Sequence, residues 1–258
     1  MDLAELRSKS TPPPTVLLDR AMLVLSLFDE TNPDWSATEV SHATRLPLPT
    51  VSRLLGQLQR LELVSRSSET QRFRLGPESL RIGRRAAAAY DPRRNTATVL
   101  RALALATGET AFLVAVGERR DTSVCIQSVD SIELLRCAMP VGTVTPLHLG
   151  ASQKVLLALL DQGEQEAYLR RSAGAFTAET AAVLRTELAE IARRGTSYTL
   201  DEPHPGTWCA AAPVRSPDGI ARAAVGLCGP SQRSDRISPT DLAAHVSAAA
   251  GELAASFG

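Results

Sequence analysis

The sequence predicts an α+β protein of two units: three helices closed by a β-hairpin, then a larger unit of strands, a helical block, more strands and a last helix. Three observations carry this. At 258 residues the chain exceeds the roughly 150 residues of one average domain. Apolar residues recur at helical spacing early and in short strand-like runs later. The strands are grouped rather than alternating one by one with helices, which favours α+β over α/β. With 44% apolar, 22% charged and 4% aromatic residues, the chain has enough aliphatic surface for real cores and is not a disordered composition.

Residues 1–14 end in Ser10-Thr11-Pro12-Pro13-Pro14 and read as a polar arm. Residues 15–77 form the first unit. Leu17, Leu18, Ala21, Met22, Leu25 and Phe28 predict one buried stripe on a helix over Leu17–Phe28. Ser36-Ala37-Thr38-Glu39 matches a capping box, so a short helix runs to about Thr44 and buries Val40 and Ala43. After Arg45-Leu46-Pro47-Leu48, Pro49 suits the first position of a third helix, where its missing N–H has no partner to lose. There Val51, Leu54, Leu55, Leu58 and Leu61 form one apolar face, leaving Ser52, Arg53, Gly56 and Arg60 outside and Thr50 and Gln57 on the flanks. Leu63–Arg66 and Arg72–Leu75 predict a hairpin.

An Ala- and Arg-rich linker helix from Ser79 to Tyr90, within residues 78–95, breaks at Asp91-Pro92. Residues 96–258 form the second unit: a helix over Thr96–Thr107, then strands at Thr110–Val116, Thr122–Val129 and Glu133–Ala138, and a loop over Pro140–Leu147. Helices follow around Ala151–Leu160, Glu164–Arg171 and Thr177–Arg194, the last with a Thr cap and Glu179 in its first turn. Strands at Ser197–Leu200, Trp208–Val214 and Ile220–Leu227 come next, the last two joined by the turn Ser216-Pro217-Asp218-Gly219, and Ser238-Pro239 opens a final helix.

Charge is uneven. Lys plus Arg and Asp plus Glu both number 28, yet Arg45 to Arg85 holds nine Arg against three Glu, while residues 86–258 hold 16 basic and 18 acidic groups. Such asymmetry points to a polyanion contact by the first unit. Three helices plus a hairpin is the layout of a winged helix-turn-helix, which sets the start of one helix in the major groove of duplex DNA. Thr50, Ser52, Arg53 and Gln57 are the residues placed to meet bases, and Arg66, Arg72 and Arg74 on the wing are placed to meet phosphates. No apolar run reaches the roughly 18 residues of a membrane helix, and the first residues lack a signal-like stretch, so a cytoplasmic protein with no membrane contact is expected. Cys125, Cys137, Cys209 and Cys228 lack close pairing and should be free thiols. Their spacing matches no zinc pattern, and no metal or other cofactor is called for.

The chain resembles the IclR-type bacterial transcriptional regulators from about Val16 onward. The resemblance rests on Arg20-Ala21, Leu46-Pro47 with Thr50-Val51 and Arg53-Leu54-Leu55, and Phe73-Arg74-Leu75-Gly76. In the second half it rests on Pro146-Leu147-His148, Lys154-Val155-Leu156-Leu157-Ala158, Gly206 with Cys209, Ala211 and Pro213-Val214, and Gly229-Pro230 with Arg233. It implies a winged helix that binds operator DNA as a dimer or dimer of dimers, and a GAF-like C-terminal domain that holds a small-molecule effector. Against the family pattern, Leu48 replaces a polar or basic residue and Pro49 a helix-start Ser, so contacts there are fewer and Arg53 and the wing matter more.

For the effector, the resemblance implies Met139, Leu147, Asp201 and Cys209 as lining, with the backbone amides of Ala151 and Ser152 receiving a carboxylate. Gly226 and Cys228 stand where small-acid binders carry serines, which removes two hydroxyls and enlarges the space for a bulkier, less polar ligand than glyoxylate. Asp201 and Glu202 match an acidic pair near the pocket mouth. Trp208 and Cys209, as strand neighbours, face opposite ways, so Trp208 is read as core or interface. Lys154, one of two lysines, pairs with a ligand acid or in a structural ion pair. His42 and His245 read as surface or edge residues. The rival reading is a thiol-dependent enzyme or metabolite binder with Cys209 as nucleophile and His204 or His148 as base. An apolar strand around Cys209, without a presenting turn, argues against it.

Overall fold

The first helix, α1 (Leu17–Leu25), stops a turn earlier than its apolar spacing suggests, and Val24 within it and Phe28 just beyond it enter the N-terminal core. The computed structural model describes residues 17–29, 31–90, 95–117, 120–216, 219 and 221–254, without the side chains of 87–90 and 222. The N-terminal arm, the break at Asp91-Pro92 and the centre of the turn at Pro217-Asp218 lie outside the described residues. The chain divides into two units, residues 1–86 and 87–258.

In the first unit, α2 (Ala37–Thr44) opens with the expected capping box: Ser36 Oγ accepts from the Glu39 amide, and Glu39 Oε2 accepts from the Ser36 amide at 2.8 Å. Next, α3 (Leu48–Arg60) buries Val51, Leu54, Leu55 and Leu58, each contributing roughly 1.5–3 kcal/mol. The hairpin is β1 (Val64–Arg66) and β2 (Phe73–Leu75), with Trp35 bridged to Phe73. Gly76 then passes so close to the main chain that a Cβ would lie 2.1 Å from the Glu62 carbonyl oxygen, so only glycine fits. The structure corrects the expected core here. Leu17, Leu18 and Met22 are exposed, because the buried side of α1 is the line of Ala21, Val24, Leu25 and Phe28. Ala43 and Leu61, near the ends of their helices, are exposed as well.

α4 (Pro77–Tyr90) spans the division between the units. In the second unit α5 (Thr96–Thr107) leads into β3 (Thr110–Val116) and β4 (Thr122–Val129), then β5 (Val144–Pro146). The helical block is α6 (Ala151–Ala158), α7 (Gln162–Arg171) and α8 (Ala178–Arg194). β6 (Ser197–Leu200), β7 (Thr207–Arg215), β8 (Ala221–Pro230) and α9 (Pro239–Ala254) complete it. The strands form one antiparallel sheet in the order β5-β4-β3-β8-β7-β6. One face packs on α5 and α9 through Leu100, Leu113, Trp208, Val225 and Val246; the other packs on the helical block through Phe112, Val155, Leu188, Cys209 and Ala224. Trp208 and Cys209 do fall on opposite faces, and Trp208 is core, stacked 6.3 Å from Tyr198.

The strand expected at Glu133–Ala138 is absent, and β5, from the expected loop, takes the edge beside β4 instead. Side chains rather than a ladder satisfy the carbonyls of the displaced segment: Arg233 Nη1 donates to Leu135 O and Thr110 Oγ1 to Cys137 O. Ile132, Leu134 and Leu135 are left exposed. Among the described residues no helix is long and apolar enough to cross a membrane.

Candidate functional site

The outward face of α3 follows from its buried stripe. Ser52 and Arg53 project to solvent, and Thr50 and Gln57 are half-buried at the flanks. The helix begins on Pro47 with Pro49 in its first turn and no side-chain cap, so its opening is free of an intramolecular carboxylate. On the wing, Arg74 is exposed, and Arg66 lies 5.3 Å above the Phe73 ring while its Nε donates to Gln71 O. Arg72 differs: its Nη2 donates to Asp34 O at 2.8 Å and meets Glu39 Oε2 at 2.8 Å. Glu39, held below the usual carboxylate range first by the Ser36 amide and then by Arg72, therefore ties the wing to α2. Sequence spacing had no means of finding that Arg72–Glu39 contact across 33 residues.

In the second unit the register brings the expected effector residues onto the α6 side of the sheet. Cys209 opposes Cys228 across β7 and β8, Ala211 opposes Gly226, and Gly226 opposes Phe112 on β3. Leu147 and Ala151 are buried in the same cluster, with Met139 packed against it. The space at Gly226 is not enlarged, contrary to the expectation from its missing side chain. A Cβ there would lie 2.4 Å from the Phe112 ring, so Phe112 fills that place.

All eight residues of α6 are buried, so the helix offers a ligand its end rather than a side-chain face. It opens on Gly150, with φ of 85° and neither a side-chain cap nor an acidic residue in its first turn. The Ser152 hydroxyl donates to Gln153 Oε1 at 2.8 Å, and Gln153 Nε2 donates to Ser123 Oγ at 3.0 Å. With that hydroxyl engaged inside the protein, the backbone N–H groups are what α6 presents to an anion.

Lys154 makes a structural ion cluster: its Nζ lies 2.9 Å from Glu187 and 2.6 Å from Glu202. Of the acidic pair it is thus Glu202 that reaches α6. Asp201 is exposed, at φ 58°, and accepts from the Gly206 amide of its own loop at 2.7 Å. Glu187 was not visible as a partner, since helical spacing on α8 marks it only as an outward charge.

Beside this cluster, Tyr168 Oη accepts from the His148 amide at 3.1 Å and lies in hydrogen-bond contact with His148 Nδ1 at 2.6 Å. Burial pushes His148 down to about 4 and Tyr168 up to about 12, so the imidazole is neutral near pH 7. Among the described residues neither histidine of the rival reading is hydrogen-bonded to Cys209. His148 is engaged by Tyr168, and His204 is exposed, its carbonyl accepting from Thr207.

Comparison with known proteins agrees with both halves. An IclR helix-turn-helix domain model matches residues 17–68, and a model described as bacterial transcriptional regulator IclR C-terminal matches residues 85–255. The acetate operon repressor of Salmonella typhimurium is 27% identical over 251 residues, covering 93% of this chain and 89% of its own. The transcriptional repressor IclR of Escherichia coli gives the same identity and coverage. Among solved structures, an IclR regulator from Alicyclobacillus acidocaldarius superposes with a TM-score of 0.79 at 24% identity, over 94% of this chain and 98% of that one. An IclR homologue from Microbacterium hydrocarbonoxydans complexed with 4-hydroxybenzoate reaches 0.77 at 18% identity, over 94% and 99%. These two likenesses speak for the fold; the family models, which between them span both units, speak for descent. The winged helix and the two-faced antiparallel sheet therefore have one common explanation, that this chain belongs to the IclR family of bacterial transcriptional regulators.

Proposed function

We propose that α3 reads an operator half-site through Thr50, Ser52, Arg53 and Gln57, while Arg66 and Arg74 on the wing meet phosphates and Arg72 braces the wing against α2. The observation that carries this reading is the exposure of Ser52 and Arg53 opposite a fully buried stripe. The protein acts in the cytoplasm as a dimer or dimer of dimers on a partly palindromic site, and it is not an enzyme. Gel-shift titration with DNA from upstream of its own gene tests this. Arg53→Ala is expected to weaken specific binding by about 1–3 kcal/mol. Affinity is expected to fall steeply with salt as counterions are released. A complex indifferent to both would refute the reading.

The effector is a small molecule with one acid group and an apolar body. Its carboxylate is received by the Ala151 and Ser152 amides, and its body lies against Met139, Leu147, Cys209 and Cys228. The apolar lining supports this, as does the fold shared with a relative complexed with 4-hydroxybenzoate. Effector changes operator affinity only by binding one arrangement of the protein better than another. Calorimetric titration with benzoate-type acids and with glyoxylate separates the apolar acid from the small polar one.

A further inference from the structure

Three of the four thiols meet on the sheet face that carries Gly226. Cys209 and Cys228 are opposed across β7 and β8, and both are buried in one cluster. Cys137, half-buried, packs against that cluster from the irregular segment after β4. The segment is held in place there, since Cys137 O accepts from Thr110 Oγ1 at 2.6 Å and Thr110 is the residue opposite Cys228 on β3. Directly opposed residues share a sheet face, so the Thr110 side chain that holds Cys137 O also sets Cys137 beside Cys228, which has Cys209 on its other side. Cys125 is buried in the same cluster, but its sulfur is turned to the carbonyls of Gln127 and Met139 at 3.4 and 3.5 Å.

The three are chemically unequal. Cys228 is deeply buried, and contact with the two neighbouring sulfurs keeps its proton on. The neighbouring Cys228 works the other way on Cys137, bringing it below the ordinary thiol range; burial and Glu109 oppose this, and Arg233 adds to it. Arg233 is positioned for that role, with Nε on Glu109 at 2.7 Å and Nη1 on the carbonyl of Leu135, two residues before Cys137. A half-exposed sulfur inclined to thiolate, beside a buried thiol that retains its proton, has the relation of an attacking to a resolving cysteine.

We propose that Cys137 and Cys228 form an oxidative modification site at which hydrogen peroxide closes an intramolecular disulfide, pinning the segment after β4 to β8. The Cys137 sulfur attacks one peroxide oxygen and the O–O bond breaks. The released hydroxide takes the proton that Cys137 gave up, leaving as water and a sulfenic acid on Cys137. The Cys228 sulfur then attacks the sulfenic sulfur, the S–O bond breaks, and the hydroxyl leaves with the Cys228 proton as a second water. The two thiols lose two electrons, which reduce one peroxide to two waters. That the bond lies on a ligand face rests on the effector reading; the chemistry rests on the thiols alone.

The test is intact-mass analysis and peptide mapping of the full-length protein, titrated with hydrogen peroxide and trapped with iodoacetamide. One disulfide is expected, seen as loss of two hydrogens, two fewer alkylated thiols and a linked Cys137–Cys228 peptide that dithiothreitol reverses. Cys137→Ser and Cys228→Ser each abolish it, and Cys125→Ser leaves it in place. Should Cys228→Ser fail to fold, Cys137→Ser at its half-exposed site decides the matter. A Cys209–Cys228 or intermolecular linkage, or Cys137 passing to sulfinate without a linked peptide, overturns the proposal. Since neither operator nor effector enters the readout, its failure and that of the regulatory reading are separable.

Discussion

Two helices, α3 and α6, open alike and end differently. Each begins without a side-chain cap, on Pro47 and Gly150 respectively. Yet α3 buries only the stripe Val51, Leu54, Leu55 and Leu58, whereas α6 is buried over all eight residues. A helix half in water can set side chains against a large, variable surface such as a duplex groove. A helix enclosed on every side can offer only the N–H groups of its first turn, which suits one small anion. The same local beginning thus suits two kinds of recognition, a groove in the proposed reading of α3 and a small anion in that of α6, and burial sets the difference.

The contrast extends to charge. Among the described residues the first unit's ion pairs are at least a quarter exposed on each side, whereas the second holds Arg233 against Glu109, both almost fully buried. Breaking that pair should give the largest effect: Arg233→Met strands the Glu109 carboxylate and is expected to cost about 3–5 kcal/mol. Urea unfolding followed by hydrogen exchange should place the loss in residues 96–254 and leave the α3 amides unchanged; equal loss in both units would erase the distinction.

His148 gives the next effect, through pH. Its folded pKa of about 4 lies below the ordinary 6.5, so the unfolded chain binds the proton more readily. The stabilisation is full above pH 6.5 and is lost as pH falls from there through about 4. Unfolding titrations across that window should lose their slope in part in His148→Gln, a change with no counterpart in the first unit.

Gly226→Ser sharpens the comparison at the level of packing. The added atoms meet the Phe112 ring, with an expected cost of about 1–3 kcal/mol. The double variant with Phe112→Leu should recover part of it, and a neutral Gly226→Ser in thermal melts would mean that Phe112 does not fill the site. The smallest effect belongs to the first unit. Ser36→Ala removes the capping hydroxyl of α2 and is expected to cost about 1 kcal/mol by urea midpoint, with little change in the second unit.

Much of the first unit was legible because its signals are local. The stripe of α3, Pro49 at its start and the Ser36–Glu39 box each need only a few residues to be recognised, and each is present in the structure. The misreadings lie where two elements compete for one role. Glu133–Ala138, read as a strand, lies outside the sheet, where side-chain donors from Arg233 and Thr110 satisfy its carbonyls, and Val144–Pro146, read as loop, takes the edge beside β4. At the candidate ligand face, alternation separated Trp208 from Cys209 correctly, but nothing near Gly226 in sequence announced that Phe112 would occupy its space.

By itself, the sequence determined the periodicities, caps and charge gradient that mark a winged helix followed by an antiparallel α+β unit, because these depend on neighbours within a turn or a strand. Tertiary structure alone decided which charges are engaged: Arg72 with Glu39, Lys154 with Glu187 and Glu202, and Arg233 with Glu109. It also brought Cys137, Cys209 and Cys228 together. The reason is one of range: a hydrophobic pattern is written along the chain, but the partner of a buried charge or thiol is set by sheet register and by which helix covers which face.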